Sequence, residues 1–445
     1  MKDDARNCAH RDFTESIEHA RLARETIPSG AHTYAKADDQ FPEHMPVVIS
    51  RGSGCRVWDI DGNEYIELGM GLRTVGLGHA FEPVVSAVHE ALALGCNFSR
   101  PAAIEFECAQ RLQSLVTSAE MVKFCKNGSD ALDAAVKLAR AATGRDMIAI
   151  CGNHPFFSVG DWFIGTTAMP GGIPQWIRRQ TLKFEFNDAA SLERLFTEHP
   201  NQISCVILEA CRVEEPTDQF LHQVHALCRK HGALFILDEM ITGFRWHRSG
   251  AQHVYGVRPD LATFGKAMGN GFAVSALVGR RDIMELGGFP AGKERVFLLS
   301  TTHGAEVHSL AAAIATMRFY AENEVTDVLH RRGARLKARI DDAAASMGLS
   351  QYFEIVGRPC SMVYVARDQN RVPSNEFRTL FLQETLTRGL LAPSFVVSYS
   401  HSDQDIDRAA DIVIDALGVY RDALAHGVQR FLRSRPVAAV MRPYA

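Results

Sequence analysis

The sequence lacks the marks of several large classes of protein. It holds 48 lysines and arginines against 52 aspartates and glutamates, so there is no basic excess with which to bind nucleic acid or an anionic membrane surface. No apolar run approaches the roughly 18 residues that a membrane-spanning helix needs. The first residues, MKDDARNCAHRDF, have neither the apolar core of a signal peptide nor the acid-poor composition of a transit peptide. We therefore expect a cytoplasmic protein that binds small molecules, with no nucleic acid and no membrane partner.

Paired cysteines are missing as well. The ten cysteines are scattered and none forms a CxxC pair, which argues against both a zinc site and a disulfide framework. We expect no metal and a reducing compartment. At 445 residues with 46% apolar composition, the chain is long enough for one large α/β domain and a smaller one.

The first part of the chain is predicted to lead into the large domain. Residues 12–35 have a helical pattern that breaks at Pro28, and residues 56–65 predict a hairpin that turns at Asp61 and Gly62. Residues 69–78 are too rich in glycine for a regular element. They predict either a cluster of turns or a loop whose backbone a ligand approaches closely. An amphipathic helix is expected over residues 83–94.

The middle of the chain predicts a mostly parallel sheet. Short apolar runs alternate with helical stretches, which is the pattern of βα units. The runs lie at residues 147–151, 205–208, 234–237 and 261–264, and residues 276–279 are expected to add an antiparallel edge.

The C-terminal part predicts a smaller α+β domain. Two helical patterns end near residues 320 and 347, strands are predicted at residues 361–366 and 395–399, and Ser402 begins a capped helix. The predicted domains are an N-terminal segment that packs with the small domain (1–65), a large domain (66–309), a small domain (310–425) and a tail (426–445).

An apolar strand that begins at Met121 is predicted to lead directly into a helix. The apolar strand ends at Asn127 and Gly128, and Ser129 begins a helix with an apolar stripe. Free backbone N–H groups at the positive end of a helix suit a phosphate. The other interpretation is that Ser129 only caps the helix.

The stretch from residue 234 to residue 271 holds an acid and a lysine, each at the end of a buried run. Asp238 follows residues 234–237, and Lys266 follows residues 261–264 and precedes Gly269 and Gly271. In open α/β sheets ligands bind outside the carboxyl ends of the strands. Asp238 and Lys266 are therefore expected to face one ligand. A lysine, a buried acid and a phosphate site together are the equipment of a pyridoxal phosphate enzyme.

Four motifs carry a resemblance to a known family. They are RVWDIDGNEY, LDEMITGFR, GVRPDLATFGKAMGNG and HSDQDID, and the similarity runs from about residue 27 to about residue 417. The chain resembles the class III pyridoxal phosphate-dependent aminotransferases, and within them the glutamate-1-semialdehyde 2,1-aminomutase branch. The resemblance implies a large domain with a mostly parallel seven-stranded sheet, like that of the aspartate aminotransferase superfamily, and a smaller α+β domain.

The resemblance also implies roles for single residues and the cofactor pyridoxal 5′-phosphate. Lys266 would bind the cofactor covalently and then move a proton, while Asp238 would pair with the pyridine nitrogen. Met240 would pack on the ring. Gly128 and Ser129 match the phosphate-binding loop. Thr301 matches a threonine that reaches the phosphate of the neighbouring subunit, which implies a homodimer with shared active sites.

Two stretches depart from the family pattern. Where the family has an aromatic residue that stacks on the ring, this chain has Asn153 within the stretch GNHPFF. Either the Asn153 amide covers the ring, or Phe156 or Phe157 does so, or the site is weakened. Lys36 lies near the position of an arginine that holds the substrate carboxylate in the aminomutases, and a lysine cannot make the same two-pronged contact. The expected substrate-binding residues are His32, Tyr34, Lys36, Arg73 and His303.

These departures favour a transaminase of a secondary or amino-sugar pathway. Such an enzyme would take an amino group from an amino acid donor and give it to a ketone or aldehyde acceptor. Two alternatives remain open, namely an intramolecular aminomutase and a non-catalytic relative that keeps the fold.

Overall fold

The computed structural model describes residues 11–153, 156–211 and 213–441. It divides into two compact units. The terminal unit comprises the described residues up to Leu72, Gly78–Ala80 and the described residues from Asp327 onward. The central unit comprises Arg73–Leu77 and Phe81–Thr326. The domain boundaries expected near residues 66, 310 and 426 stay a prediction.

The strands of the described residues follow in chain order. They are β1 (Ile49–Ser53), β2 (Arg56–Asp59), β3 (Glu64–Glu67), β4 (Met121–Cys125), β5 (Met147–Cys151), β6 (Thr181–Phe184), β7 (Ile203–Glu209), β8 (Leu234–Asp238), β9 (Leu261–Phe264), β10 (Ser275–Gly279), β11 (Phe353–Val356), β12 (Val363–Ala366) and β13 (Leu390–Leu391).

The α-helices of the described residues include long and one-turn elements. They are α1 (Thr14–Thr26), α2 (Glu82–Leu92), α3 (Ala103–Leu115), α4 (Gly128–Thr143), α5 (Asp161–Ile164), α6 (Gln175–Arg178), α7 (Ala189–Glu198), α8 (Phe220–His231), α9 (Ala251–Tyr255), α10 (Arg281–Met284), α11 (Val307–Glu322), α12 (Val325–Ser346), α13 (Asn375–Thr387) and α14 (Asp403–His426). Within the part of the chain that the structure describes, none of the helices is long and apolar enough to cross a membrane.

The central unit is built on a seven-stranded sheet in the order β4-β10-β9-β8-β7-β5-β6. Strands β9, β8, β7, β5 and β6 are parallel to one another, and β10 runs antiparallel to both of its neighbours. The predicted mostly parallel sheet is therefore confirmed. The predicted edge position of residues 276–279 is wrong, because β10 is inserted between β4 and β9 and its residues are buried.

Helix α4 packs on this sheet against β7, β9 and β10. Its apolar stripe is buried as the spacing predicts, and the helix ends at Gly144 in the left-handed conformation that glycine favours. The buried stripe includes Ala131, Leu132, Ala135, Val136, Leu138 and Ala139.

The terminal unit joins the two ends of the described chain. Its four-stranded sheet has the order β1-β2-β3-β13, with β1, β2 and β3 antiparallel and β13 parallel to β3. Gly62 forms the predicted hairpin turn with a φ of 86°. One hydrophobic cluster draws on both ends of the chain and holds Phe13, Met45, Val57, Tyr65, Leu386 and Leu391.

Other predictions for the terminal unit had mixed outcomes. The capped helix at Ser402 is confirmed, because the Ser402 hydroxyl accepts from the backbone of Asp405 and the Asp405 carboxylate accepts from Ser402. Helix α1 ends at Thr26, before Pro28, and two 3₁₀ turns follow at Pro28–Gly30 and Tyr34–Lys36. The strand predicted at residues 395–399 is wrong. Only Phe395 forms a bridge there, with Met362, and the run is apolar because it lies in the core.

Candidate active site

A row of three polar side chains crosses the central sheet at the carboxyl ends of its strands. Glu209 of β7 lies opposite Asp238 of β8, and Asp238 lies opposite Thr263 of β9. Residues in register on neighbouring strands point to the same face of a sheet. All three are buried, with 4%, 3% and 0% of their surface exposed. Two carboxyl groups and one hydroxyl therefore share one protected face.

Asp238 is held in a defined orientation. Its Oδ1 accepts hydrogen bonds from the backbone N–H of Met240 at 2.9 Å and from the Thr263 hydroxyl at 3.1 Å. Burial raises the pKa of this carboxyl, while the nearby Lys266 amine and the two hydrogen bonds oppose that shift. A cation placed against Asp238 would find a buried, oriented acid.

Lys266 follows β9 after a single glycine and begins a 3₁₀ turn that ends at Gly269. Its φ of 46° lies in the left-handed region, which a lysine seldom adopts. The residue is partly buried, and burial lowers the pKa of the amine. The carboxyls of Asp238 and Glu209 act in the opposite direction, and the Arg73 and Arg245 guanidinium groups add to the lowering. An amine whose pKa is lowered loses its proton more readily and becomes a nucleophile.

Two glycines leave room for the Met240 side chain between the start of helix α4 and the segment that leads into the 3₁₀ turn at Lys266. An added Cβ at Gly128 would lie 2.9 Å from the Met240 Sδ, and one at Gly265 would lie 2.7 Å from the same atom. The Met240 side chain therefore fills the space between the start of helix α4 and the residue before Lys266. The structure brings together Gly128, Met240, Asp238 and Lys266, four of the residues that the sequence singled out.

The start of helix α4 offers backbone donors. Gly128 and Ser129 lie in its first turn, where a helix has no earlier carbonyl for the N–H groups to bind. The interpretation of Ser129 as the cap is wrong, because Asn127 is the N-cap and its Oδ1 accepts from the Asp130 N–H at 3.1 Å. The Ser129 hydroxyl accepts instead from the backbone N–H of Val159 at 3.1 Å. This arrangement of N–H groups at a positive helix end suits an anion.

The stretch around Asn153 is only partly described, since His154 and Pro155 lie outside the described residues. The Asn153 Oδ1 accepts a hydrogen bond from the backbone N–H of Phe186 at 3.2 Å, which fixes the amide group. Phe157 is buried and packs edge-on against Phe163 with the ring centroids 5.6 Å apart. Phe156 keeps 44% of its surface exposed. Which of these residues covers a cofactor ring stays a prediction.

A left-handed turn leads into the site. Met70, Gly71, Leu72 and Arg73 all have φ values between 43° and 71°, so the turn consists mainly of residues that disfavour this conformation. The buried Arg245 guanidinium then donates to the Arg73 carbonyl oxygen at 2.8 Å and to the Ile241 carbonyl oxygen at 3.1 Å.

The segment after this turn packs on the turn that follows Lys266. The Leu77 N–H donates to Asn270 Oδ1 at 2.9 Å. An added Cβ at Gly76 would lie 3.4 Å from the Ala267 Cβ, and one at Gly271 would lie 3.5 Å from a Val75 methyl carbon. Residues 73–77 therefore lie against residues 267–271 within the central unit, and the predicted substrate residue Arg73 begins that segment.

The remaining predicted residues lie elsewhere. His32, Tyr34 and Lys36 are exposed and belong to the terminal unit, in and just before a 3₁₀ turn at Tyr34–Lys36. Thr301 and His303 are exposed residues of the central unit, ahead of helix α11. The Asn97 side chain donates to the Thr302 carbonyl oxygen at 3.0 Å and ties this stretch to the segment after helix α2.

Sequence reasoning did not single out Glu209 or Arg245. A signal for Glu209 was present, because it ends the apolar run 205–208 in the way that Asp238 ends the run 234–237. Arg245 ends the motif LDEMITGFR, but the motif does not predict its contact with the Arg73 carbonyl oxygen, 172 positions earlier in the chain.

Comparisons with known proteins agree with this geometry. A family model described as aminotransferase class-III matches residues 37–417. The glutamate-1-semialdehyde 2,1-aminomutase of Desulforamulus reducens is 32% identical over 427 residues, which cover 91% of this chain and 98% of that protein. The resemblance inferred from the sequence motifs is therefore confirmed.

Two solved structures share the fold. The PLP internal aldimine form of the FumI protein from Sphingopyxis sp. MTA144 superposes with a TM-score of 0.86 at 25% identity, covering 96% of this chain and 100% of that one. An omega-transaminase from Sphaerobacter thermophilus gives a TM-score of 0.82 at 25% identity, with 92% and 99% of the two chains covered. These likenesses confirm the predicted α/β fold with a seven-stranded sheet.

Proposed function

The chain belongs to the class III aminotransferase family, and we propose that it is a pyridoxal 5′-phosphate-dependent transaminase. It takes an amino group from an amino acid donor and gives it to a ketone or aldehyde acceptor, in a secondary or amino-sugar pathway. The observation that carries the proposal is the charge interaction between Asp238 and Lys266, which follow neighbouring parallel strands. A buried, oriented carboxyl and an amine with a lowered pKa lie together at the carboxyl ends of β8 and β9.

The residues present fit this cofactor. Asp238 suits the pyridine nitrogen, since a buried carboxylate keeps a ring nitrogen protonated. The N–H groups of Gly128 and Ser129 suit the phosphate. An added side chain at Gly128 or Gly265 would collide with Met240. Glycine at both positions therefore lets the Met240 side chain lie between the start of helix α4 and the residue before Lys266. Met240 is thereby placed to pack on the cofactor ring.

Each group has a separate task in amino transfer. When bound, pyridoxal phosphate supplies an electron-accepting ring, which makes a proton on the substrate carbon removable. Lys266 would hold the cofactor covalently in the resting enzyme, and its amine, once freed, would move a proton at the substrate carbon. Asp238 holds the ring in its electron-accepting protonation state, and Glu209 adds a second negative charge beside Lys266.

The proposed substrate contacts lie mainly where this chain differs from the family pattern. Arg73 begins the segment that packs on the Lys266 turn and supplies a cation beside the amine. His32, Tyr34, Lys36 and His303 complete the proposed substrate-binding set, and Asn153 is proposed to lie on the cofactor ring.

The active enzyme is a homodimer in which Thr301 reaches the phosphate in the neighbouring subunit. Several large apolar side chains of the central unit are exposed, which supports an interface on that unit. They include Leu94, Phe98, Phe106, Phe289 and Phe297. Light scattering of the purified protein tests the dimer.

One absorbance experiment tests the central claim. Purified protein with pyridoxal 5′-phosphate should show a visible band that borohydride removes and fixes as a covalent adduct on Lys266. The Lys266→Ala variant should retain neither the band nor the adduct. A band with unchanged borohydride reactivity in Lys266→Ala contradicts the assignment, and no band in the unchanged protein favours a non-catalytic relative.

A second candidate function is an intramolecular aminomutase. The observation that favours it is the name of the relative from Desulforamulus reducens, which is 32% identical. The two candidates differ in their need for a second substrate. A transaminase with the cofactor in catalytic amount stops after one half-reaction unless both an amino donor and a carbonyl acceptor are supplied. Complete conversion of a single substrate without either addition would show an aminomutase.

The proposed location is the cytoplasm. The cysteines of the described residues are free thiols and most of them are buried, which suits a reducing compartment. Fractionation of the source cells, with immunodetection of the chain, tests this assignment.

A further inference from the structure

A second group of charged side chains lies in the central unit and is centred on Glu306. The Glu306 carboxylate contacts the Lys126 ammonium, lies 3.2 Å from His303 Nδ1 and lies 4.0 Å from His308 Nε2. Only 14% of the Glu306 side chain is exposed, against 38% for Lys126. Two distant parts of the chain meet at this carboxylate.

Lys126 links the group to the proposed phosphate turn. It follows strand β4 and directly precedes Asn127, the N-cap of helix α4, and then Gly128 and Ser129. A positive charge close to a helix N-terminus is unfavourable, because the helix dipole is also positive there. The Glu306 carboxylate offsets this repulsion and gives the lysine one fixed position.

Glu306 links the same group to the stretch that contains Thr301. The Gly304 N–H donates to the Thr301 carbonyl oxygen at 3.4 Å, which closes a turn. An added Cβ at Gly304 would lie 2.5 Å from the Thr301 Oγ1 and 3.5 Å from the Phe124 carbonyl oxygen, so this turn packs on the end of strand β4. Glu306 is the N-cap of helix α11, yet among the described residues its side chain makes no capping hydrogen bond to that helix. Its carboxylate is directed to Lys126 instead.

We propose that Glu306 is a positioning residue for the cofactor phosphate. Through Lys126 and His303 it holds the turn Asn127–Ser129 and the turn Thr301–Gly304 in one fixed arrangement. The inference rests on the proposed function, which assigns Gly128 and Ser129 to the phosphate of their own subunit and Thr301 to the phosphate of the neighbouring subunit. It goes beyond that assignment, because neither Glu306 nor Lys126 belongs to the proposed cofactor contacts.

The expected effect is on cofactor binding and not on the chemical step. Removing one member of a partly buried ion pair leaves the other without its partner and lets both turns move. Groups that are no longer preorganised bind their ligand more weakly, since they must be ordered when it binds. The Lys266 amine and the Asp238 carboxyl lie outside this pair, so turnover at saturating cofactor should persist.

The test is a double-mutant cycle with Glu306→Gln, Lys126→Met and the double variant. Apoenzyme is titrated with pyridoxal 5′-phosphate and followed by absorbance. Each single substitution should raise the Kd about tenfold, and the double variant should match the weaker single variant because the two residues act as one unit. Lys126→Arg should restore binding, and kcat at saturating cofactor should stay within about twofold.

A more exposed ion pair at the other end of strand β4 provides the control. Glu120 precedes the strand and pairs with Arg258 at 2.7 Å. Glu120→Gln and Arg258→Met should leave the Kd for the cofactor unchanged, and thermal unfolding of the apoenzymes shows whether any variant loses its fold.

Three results would overturn the inference. They are an unchanged Kd in both single variants, a double variant whose loss equals the product of the single losses, and an equal weakening by the control pair. Failure of the proposed function looks different, because the unchanged protein itself would then form no covalent adduct with pyridoxal phosphate.

Discussion

Glu209 and Asp238 lie opposite each other at the carboxyl ends of neighbouring parallel strands, and both are buried. Two acids on one protected face need positive charge nearby, since an isolated buried carboxylate is costly. Lys266 meets that need, and both carboxyls raise the pKa of its amine against the effect of burial. The first prediction follows from this relationship.

Glu209→Gln removes one of the two charges that favour protonated Lys266. The pKa of Lys266 should fall further below its ordinary value, and kcat/KM should fall about tenfold because proton transfer is no longer matched to the working pH. The same loss of charge acts on the Lys266 nitrogen when it is linked to the cofactor, so a pH titration of the cofactor absorbance should place the transition at lower pH in the variant. Glu193→Gln, which breaks a surface pair with Lys230, is the control and should not move it. An unmoved transition in Glu209→Gln would show that Glu209 does not act on Lys266.

Asp238→Asn should lower kcat/KM by about a hundredfold or more, because an amide cannot keep the ring nitrogen protonated. Asp260→Asn is the matched control at another buried acid of the same unit. Asp260 accepts from the Phe235 N–H at 2.8 Å and pairs with Arg280 at 2.6 Å, so its loss should lower stability and leave the cofactor spectrum unchanged. Comparable losses of kcat/KM in both variants would contradict a special role for Asp238.

Gly265→Ala should crowd the site. The new Cβ would lie 2.5 Å from the Ser275 Oγ and 2.7 Å from the Met240 Sδ, and overpacking of this kind costs roughly 1–3 kcal/mol. Urea denaturation should show the loss of stability, and a cofactor titration should show weaker binding. Gly171→Ala is the control, because an added Cβ there meets no atom of the described residues within 4 Å. Equal behaviour of the two alanine variants would contradict the close packing at Gly265.

His401 should make stability depend on pH. Burial lowers its pKa from the model-peptide value of 6.5 to about 4. Between these values the unfolded chain binds a proton that the folded chain does not, so stability should fall as pH falls from 6.5 toward 4, by roughly 3 kcal/mol in all.

The contribution of His401 to the pH dependence of stability can be measured by substitution. Urea denaturation should show a smaller difference in the free energy of unfolding between pH 7 and pH 5 for His401→Asn than for the unchanged protein. The exposed His426 provides the control, and His426→Asn should show the same difference in the free energy of unfolding as the unchanged protein. An unchanged difference in His401→Asn would show that other groups carry the pH dependence.

Much of the fold could be predicted because burial leaves a local pattern. The runs that became β5, β7, β8 and β9 are apolar on both faces, as strands covered on both sides must be. The same pattern could not separate an edge strand from an interior one, so β10 was misplaced. Nor could it separate a paired strand from buried irregular chain at residues 395–399.

The candidate site was predictable where it follows from strand ends and not where it depends on distant contacts. Asp238 and Lys266 each end a buried run. The glycines of residues 69–78 predict irregular backbone, but nothing in the sequence predicts positive φ at Met70, Leu72 and Arg73, because these residue types disfavour it and tertiary contacts must impose it. The pairing of Lys126 with Glu306 joins residues 180 positions apart, and no local pattern records it.

The parallel pairing of β13 with β3 has a consequence for the order of folding. Ile66 pairs with Leu390, which follows it by 324 positions (390 minus 66), whereas every strand of the central sheet lies between Met121 and Gly279. During synthesis the central strands are therefore complete long before Leu390 leaves the ribosome. Until then β3 keeps an open edge, and open edges invite pairing with other chains. Chains that stop before Leu390 should aggregate through this edge even though the residues of the central sheet are all present.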